Sequence, residues 1–261
     1  MEIKVLDKKD NTLALHIKNT DDVFINTLRR IIISEVPTLA IKNVKFIKNN
    51  SALFDEIIAH RMGLLPLKAD LETYNLPEEC SCKGVGCAKC QVIITLSAEG
   101  PITIYSSDLK FQDKNIIPVY EKIPIVKLLK GQELELEATA TLGIGKVHAK
   151  YIPALVWYRG YPQIKIGNVK NSEVVEKECP VNVYETKGKS LSVKNASACI
   201  LCDACVDIAD PQGSIEVKPS SKDFIFFIES FGKLKPKEIL DNALTVLESK
   251  LEEFEKLFKK A

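Results

Sequence analysis

Phe24-Ile-Asn-Thr-Leu-Arg-Arg-Ile-Ile-Ile-Ser-Glu-Val-Pro-Thr-Leu-Ala40 places Phe24, Leu28, Ile31 and Ile32 at helical spacing. Asp21-Asp22 supplies an N-cap, and Pro37, which lacks an N–H, forbids helix past Val36. One amphipathic helix is therefore expected here. Upstream, Glu2 to Leu6 and Leu13 to Lys18 read as strands on either side of the turn signal Asp10-Asn11, so a hairpin opens the chain.

Downstream, from about residue 40 to 165, the pattern turns to strands: Ala40 to Ile47, Gln91 to Leu96, Ile102 to Ser106, Val119 to Leu129, Gln132 to Leu142 and Ala154 to Tyr158. One stretch, Ser51 to Gly63, is more helical. A cysteine-bearing segment at 168–212 has polar ends and closes on Pro211-Gln212-Gly213, as an insertion would. Phe224 to Glu229 reads as a buried strand. The chain then ends in a long helix. With Pro236 in its first turn, Leu240, Leu244, Leu247, Leu251, Phe254 and Phe258 follow at alternating spacings of 4 and 3. At about 1.5 Å per residue that seam runs roughly 27 Å. Heptad spacing held this long favours a facing helix of similar length, and the first helix is too short to supply one, so the seam is read as a partner interface rather than an internal packing face.

The 8 cysteines form two groups of four. Cys199-Ile-Leu-Cys202-Asp-Ala-Cys205 has the C-x2-C-x2-C spacing of half a bacterial-type ferredoxin. Cys179-Pro180 supplies the Cys-Pro that closes such a cluster from the opposite half. The triplet's own closing cysteine would fall at Ala209, so one cluster site survives and the other is erased. Zinc sites usually pair two separate C-x2-C hooks; the consecutive triplet favours an iron-sulfur cluster, [4Fe-4S] or, without Cys179, [3Fe-4S]. A segment of about 45 residues is too small to bury a self-sufficient core, so a stapling role alone would justify the cluster. In the other group, Cys80-Ser-Cys82-Lys-Gly-Val-Gly-Cys87-Ala-Lys-Cys90, Gly84 and Gly86 let the backbone turn until four sulfurs converge. That is a structural zinc knuckle, with no open position for catalysis, or else a pair of disulfides or free thiols.

The 36 basic and 35 acidic residues leave a net charge of +1, so no cationic field drives strong direct nucleic-acid binding. The N-terminus lacks the apolar core of a signal peptide, and Val23 to Ile41 is broken by Arg29, Arg30 and Glu35, so neither secretion nor a membrane span is expected. A cytoplasmic protein is, and there cysteine quartets read as metal ligands; the scarcity of Met, 2 in all, with many Lys, Glu and Ile is a thermophile-like bias that keeps disulfides in view. Enzyme signatures are missing. Gly143-Ile-Gly-Lys146 lacks phosphate-loop spacing, no dinucleotide fingerprint is present, and His16, His60 and His148 stand singly.

Phe24 to Ala40 closely resembles the assembly helix of RNA polymerase subunits related to bacterial alpha. Asp55-Glu-Ile-Ile-Ala-His-Arg-Met-Gly-Leu-Leu-Pro-Leu67, Gly143-Ile-Gly-Lys-Val-His-Ala-Lys-Tyr151 and Phe226-Phe-Ile-Glu-Ser-Phe-Gly232 resemble further stretches of the same subunits, above all the archaeal D-type branch, so the likeness spans nearly the whole chain. It implies an α+β fold: a dimerisation domain from 1–40 plus 220–261, an inserted mostly β domain from 41–167 plus 213–219, and the ferredoxin-like iron-sulfur segment at 168–212, which only some members carry. It implies a heterodimer with the small subunit L through the first and last helices, on which the large catalytic subunits assemble. Arg29 and Arg30 are candidates for touching those subunits, to which the active-site magnesium belongs, so no turnover is expected of this chain alone. The competing reading is an iron-sulfur electron carrier or redox-sensing adapter.

Overall fold

The computed structural model describes residues 1–71 and 73–260. β1 (Glu2–Lys8) and β2 (Thr12–Lys18) form the opening hairpin and lead to α1 (Asp22–Ser34), where Asp21 Oδ1 accepts the Phe24 N–H at 2.8 Å as an N-cap should. Next come β3 (Thr38–Asn49), α2 (Asp55–Gly63), β4 (Leu67–Lys68), β5 (Gln91–Glu99) and β6 (Ile102–Tyr105). They are followed by β7 (Lys110–Phe111), β8 (Ile117–Pro118), β9 (Pro124–Leu128) and β10 (Glu133–Gly143). β11 (Ala154–Ile166) enters the cysteine-bearing segment, which holds α3 (Ser172–Glu178), the hairpin β12 (Tyr184–Lys187) and β13 (Ser190–Val193), and α4 (Ala204–Ile208). β14 (Ile215–Ser230) and α5 (Pro236–Phe258) complete the order. Among the described residues no helix is long and apolar enough to cross a membrane.

Two compact units are formed, one from residues 1–8, 13–27 and 157–227, the other from 9–12, 28–156 and 228–260. The first is built on a sheet of order β1-β2-β14-β11. The second is built on β3-β10-β5-β7, in which β10 pairs antiparallel with both β3 and β5. Along β10 Leu134, Leu136, Ala138, Ala140 and Leu142 are buried, with Glu135 and Glu137 exposed on the other face, and only towards its end is a residue of that face, Thr141, buried as well. Val92, Ile94 and Leu96 of β5 join that core, and α2 covers it with Ile58 and Met62. Period-two burial fixes the register, because a one-residue slip would turn every leucine to solvent.

Three sequence expectations need correction. Val119 to Leu129 is not one strand; β8 ends at Pro118 and β9 begins at Pro124. β11 runs on past Tyr158 to Ile166, and β14 starts at Ile215 rather than at Phe224; both are strands of the sheet of β1 and β2. The physical reason is Gly160: a Cβ there would meet Pro219 Cβ and the Ser220 carbonyl oxygen, each at 2.7 Å, so glycine lets two proline-bearing strands pass at close range.

Lys233, between β14 and α5, is buried. Its ammonium donates to the Lys150 carbonyl and to Thr38 Oγ1 at 3.4 Å, and the Thr38 hydroxyl donates to the Tyr151 carbonyl at 2.6 Å. Burial, helped by the charge of Lys150, pushes the Lys233 pKa down to about 8 from the usual 10.5. Between those values the unfolded chain binds the proton and the folded chain does not, so the folded state gains stability as pH rises through this window. Lys233→Met is expected to flatten that gain; identical slopes of unfolding free energy against pH in the two proteins, by denaturant titration, would contradict it.

Candidate metal centres and partner surface

The Asn75 N–H donates to the Lys89 carbonyl at 2.8 Å and closes the loop that carries the first quartet. Within it Lys83, Gly84 and Gly86 take φ of 53°, 80° and 102°, left-handed turns that fold the loop back on itself. The sulfurs of Cys80, Cys82, Cys87 and Cys90 lie within 4.8 Å of one another. Cys82 and Cys90 are 3.5 Å apart, Cys80 and Cys87 3.6 Å, and Cys87 and Cys90 3.9 Å. A tetrahedral ion with thiolate bonds of about 2.3 Å sets its sulfurs about 3.8 Å apart, so this quartet has the span of a single metal ion. All 8 cysteines are free thiols, and these separations fit an ion between sulfurs rather than sulfurs bonded in pairs. Backbone N–H groups, first that of Gly86, hold the Cys82 thiol well below its usual range, to about 6, while burial pushes Cys90 up. A thiolate is therefore available to meet a cation.

In the second quartet Cys179, Cys199 and Cys205 are buried and Cys202 is exposed, and all four line one pocket together with Val183 and Tyr184. Four cysteines around one pocket, three of them in a C-x2-C-x2-C run, are a donor set of the kind an iron-sulfur cluster takes. Leu201 and Asp203, on either side of Cys202, have φ of 59° and 60°. Left-handed non-glycine residues cost of order 1–3 kcal/mol each, and here they wrap the triplet around the pocket. The Tyr184 hydroxyl donates to Cys205 Sγ at 3.1 Å and the Val183 N–H to Cys179 Sγ at 3.4 Å. Burial raises the Cys199 and Cys205 thiols. Ala209, where the erased cysteine would stand, is packed into the apolar core of this segment. Tyr184 was not legible as a site residue, since a tyrosine in a strand reads as core.

The candidate partner residues divide. On α5, Leu244, Leu251, Phe254 and Phe258 are 44%, 60%, 67% and 74% exposed, while Leu240 and Leu247 are half-buried. The phenyl rings of Phe254 and Phe258 stack at 6.3 Å, and Leu257, absent from the heptad seam, is exposed beside them. The face that α5 buries within the chain carries Ile239 and Ala243. On α1, Leu28, Ile31 and Ile32 are buried within the chain itself and are not free for a partner, because the apolar face of a short helix is consumed by its own unit's core. Phe24 and Arg29 are half-buried, Arg30 is exposed, and Val23 is a further exposed apolar residue on that helix. Lys250 of α5 pairs with Glu35, just past α1, at 3.3 Å.

A fold of this type, an assembly helix with an inserted β domain and a row of uncovered leucines and phenylalanines, defines an alpha-type polymerase subunit. Residues 40–154 match the RNA polymerase Rpb3/RpoA insert domain. DNA-directed RNA polymerase subunit Rpo3 of Methanosphaera stadtmanae is 40% identical over 259 residues, covering 96% of each chain. The Archaeoglobus fulgidus subunit Rpo3 is 37% identical over 98% of this chain and 97% of its own. DNA-directed RNA polymerase II subunit rpb3 of Dictyostelium discoideum is 34% identical over 96% and 92%. The chain belongs to this Rpo3/Rpb3 family of RNA polymerase subunits.

The first quartet is expected to take up one Co²⁺ with the absorption of a tetrahedral thiolate site. Replacing Cys82 and Cys90 together by serine should remove one equivalent; an undiminished titration would show that the loop holds no metal.

Proposed function

We propose that the chain is the non-catalytic assembly subunit of a cytoplasmic DNA-directed RNA polymerase, pairing with the small subunit L through α5 and the exposed part of α1. The heterodimer is the platform on which the large catalytic subunits assemble, with Arg29 and Arg30 among the contacts. The observation that carries this is the apolar row on α5, which the chain leaves uncovered over its last turns and which a helix of matching spacing would bury. Full-length similarity to polymerase subunits supports the same reading and lends nothing to a free-standing electron carrier.

In the same reading, Cys80, Cys82, Cys87 and Cys90 hold a structural zinc ion. Cys199, Cys202, Cys205 and Cys179 hold an iron-sulfur cluster that staples its segment. The dimerisation domain takes in 1–40 and 220–261, extended by the strands β11 and β14 that share its sheet, and 168–212 is inserted at their far ends. Bound, the cluster would supply cross-linking through thiolate bonds, while Tyr184 and the Val183 N–H hold the sulfurs in place by hydrogen bonds.

Burying a leucine is worth roughly 1.5–3 kcal/mol, so Leu244→Glu with Leu251→Glu should weaken the L heterodimer by roughly two to four orders of magnitude. Unchanged co-elution of L would remove α5 from the interface. Cys202→Ser, at the exposed corner of the second quartet, is expected to lower iron and sulfide content and loosen 168–212 while L binding persists; a metal analysis giving zinc without sulfide would overturn the cluster assignment.

A further inference from the structure

Arg159 of β11 reaches the segment that carries the second quartet. Its guanidinium lies over the Phe227 ring, 5.3 Å from the centroid, and Phe227 stacks in turn on Trp157 at 5.1 Å. Two aromatic side chains of β11 and β14 thus seat the cation on the sheet. From that seat Arg159 Nη2 donates to the Ser197 carbonyl at 2.8 Å. Ser197 lies in the turn Ala196–Ala198, which the Cys199 N–H closes by donating to the Ala196 carbonyl at 3.1 Å. On its other side the turn is tied to Val183, whose carbonyl accepts the Asn195 N–H at 3.1 Å and whose N–H is the donor to Cys179 Sγ. Arg159 therefore completes a frame that spans two of the four cysteines.

Holding one carbonyl does not account for a cation in this place. Arg159 is half-buried, and its Nε is wholly buried with no acceptor among the described residues. A guanidinium drawn out of water needs negative charge nearby to offset the loss of hydration. Cys199 offers that charge: Arg159 and the Cys199 thiolate attract each other, while burial opposes the charge of each. The thiolates of Cys179 and Cys202 repel that of Cys199, so Arg159 is a cation set against crowded sulfurs. A cluster bound by four thiolates carries net negative charge, and a fixed cation beside it favours the state that holds one more electron.

We propose that Arg159 is the counter-charge of the cluster read at Cys179, Cys199, Cys202 and Cys205, holding its Cys199 corner and stabilising its more negative, one-electron-reduced form. The proposal rests on the iron-sulfur reading given above. It is tested on the full chain, purified without oxygen, with iron and sulfide counted first; a wild-type chain that holds iron-free cysteines or zinc would sink that reading and this one together. The midpoint potential is then followed by electron paramagnetic resonance as dithionite supplies one electron per cluster, a transfer in which no bond or proton moves. Arg159→Gln keeps a donor for the Ser197 carbonyl but no charge. At a fixed potential its reduced fraction should fall about tenfold, a midpoint about 59 mV lower for a one-electron couple. Arg159→Lys keeps the charge and should stay near wild type. A full cluster with an unchanged midpoint in Arg159→Gln, or a Lys variant as low as the Gln one, would overturn the proposal and leave the iron-sulfur reading standing. Where Arg159→Gln does not retain iron, the rate of iron loss to a chelator decides: retention in Arg159→Lys supports the counter-charge, and equal loss from both variants overturns it.

Discussion

One buried ammonium ties together three points that are far apart in sequence. Lys233 binds the Lys150 carbonyl and the Thr38 hydroxyl, and Thr38 in turn binds the Tyr151 carbonyl. Thr38 is where β3 leaves the assembly helix, Lys150 and Tyr151 are where the chain returns from the β core, and Lys233 is where α5 is about to begin. The Phe231 N–H adds a bond to the Pro153 carbonyl at 3.1 Å, and the Ser230 hydroxyl one to the Leu234 carbonyl. Burying a cation against neutral oxygens is costly, and the cost is offset when all three segments are in place. The start of α5 is thereby fixed to the two ends of the β insertion.

From that anchor α5 runs out with more apolar surface than the chain covers. Only Pro236, Ile239 and Ala243 are buried along its 23 residues. Leu244, Leu251, Phe254, Leu257 and Phe258 are exposed, with Leu240 and Leu247 half-buried among them, and a run of exposed apolar side chains of this extent marks an interaction site. The end of α5 pairs Lys256 with Glu252 and Lys259 with Glu255 along its own flank.

Much of this was legible in the sequence, and the rest failed for identifiable reasons. The hairpin, α1 and α5 are governed by local signals, a turn dipeptide, an N-cap and prolines, and local signals survive without knowledge of the fold. The ends of β11 and β14 did not, because Pro162, Pro219 and the polar run from Ser220 to Asp223 read as loop; strand pairing across Gly160 overrides that local preference. On α1 the apolar period was correct but ambiguous about its object. Leu28, Ile31 and Ile32 face inward, and periodicity cannot distinguish the chain's own core from a partner. Gly145 carried the opposite ambiguity: it reads as part of a Gly-rich loop, and its reason is the carbonyl at the end of a helix more than a hundred residues earlier.

The cysteine quartets show how spacing in sequence becomes spacing in space. In the first, the positive-φ Gly84 and Gly86, with Lys83 before them, draw four sulfurs to the separations of one tetrahedral ion. In the second, Leu201 and Asp203 adopt the same left-handed conformation without being glycine, and the triplet opens around a pocket instead. Glycine makes the tight turn at little enthalpic cost, whereas leucine and aspartate hold it only under constraint. A bound group that cross-links Cys179 to the triplet would supply that constraint, and this is why the second quartet reads as a staple for its own segment rather than as a carrier of electrons.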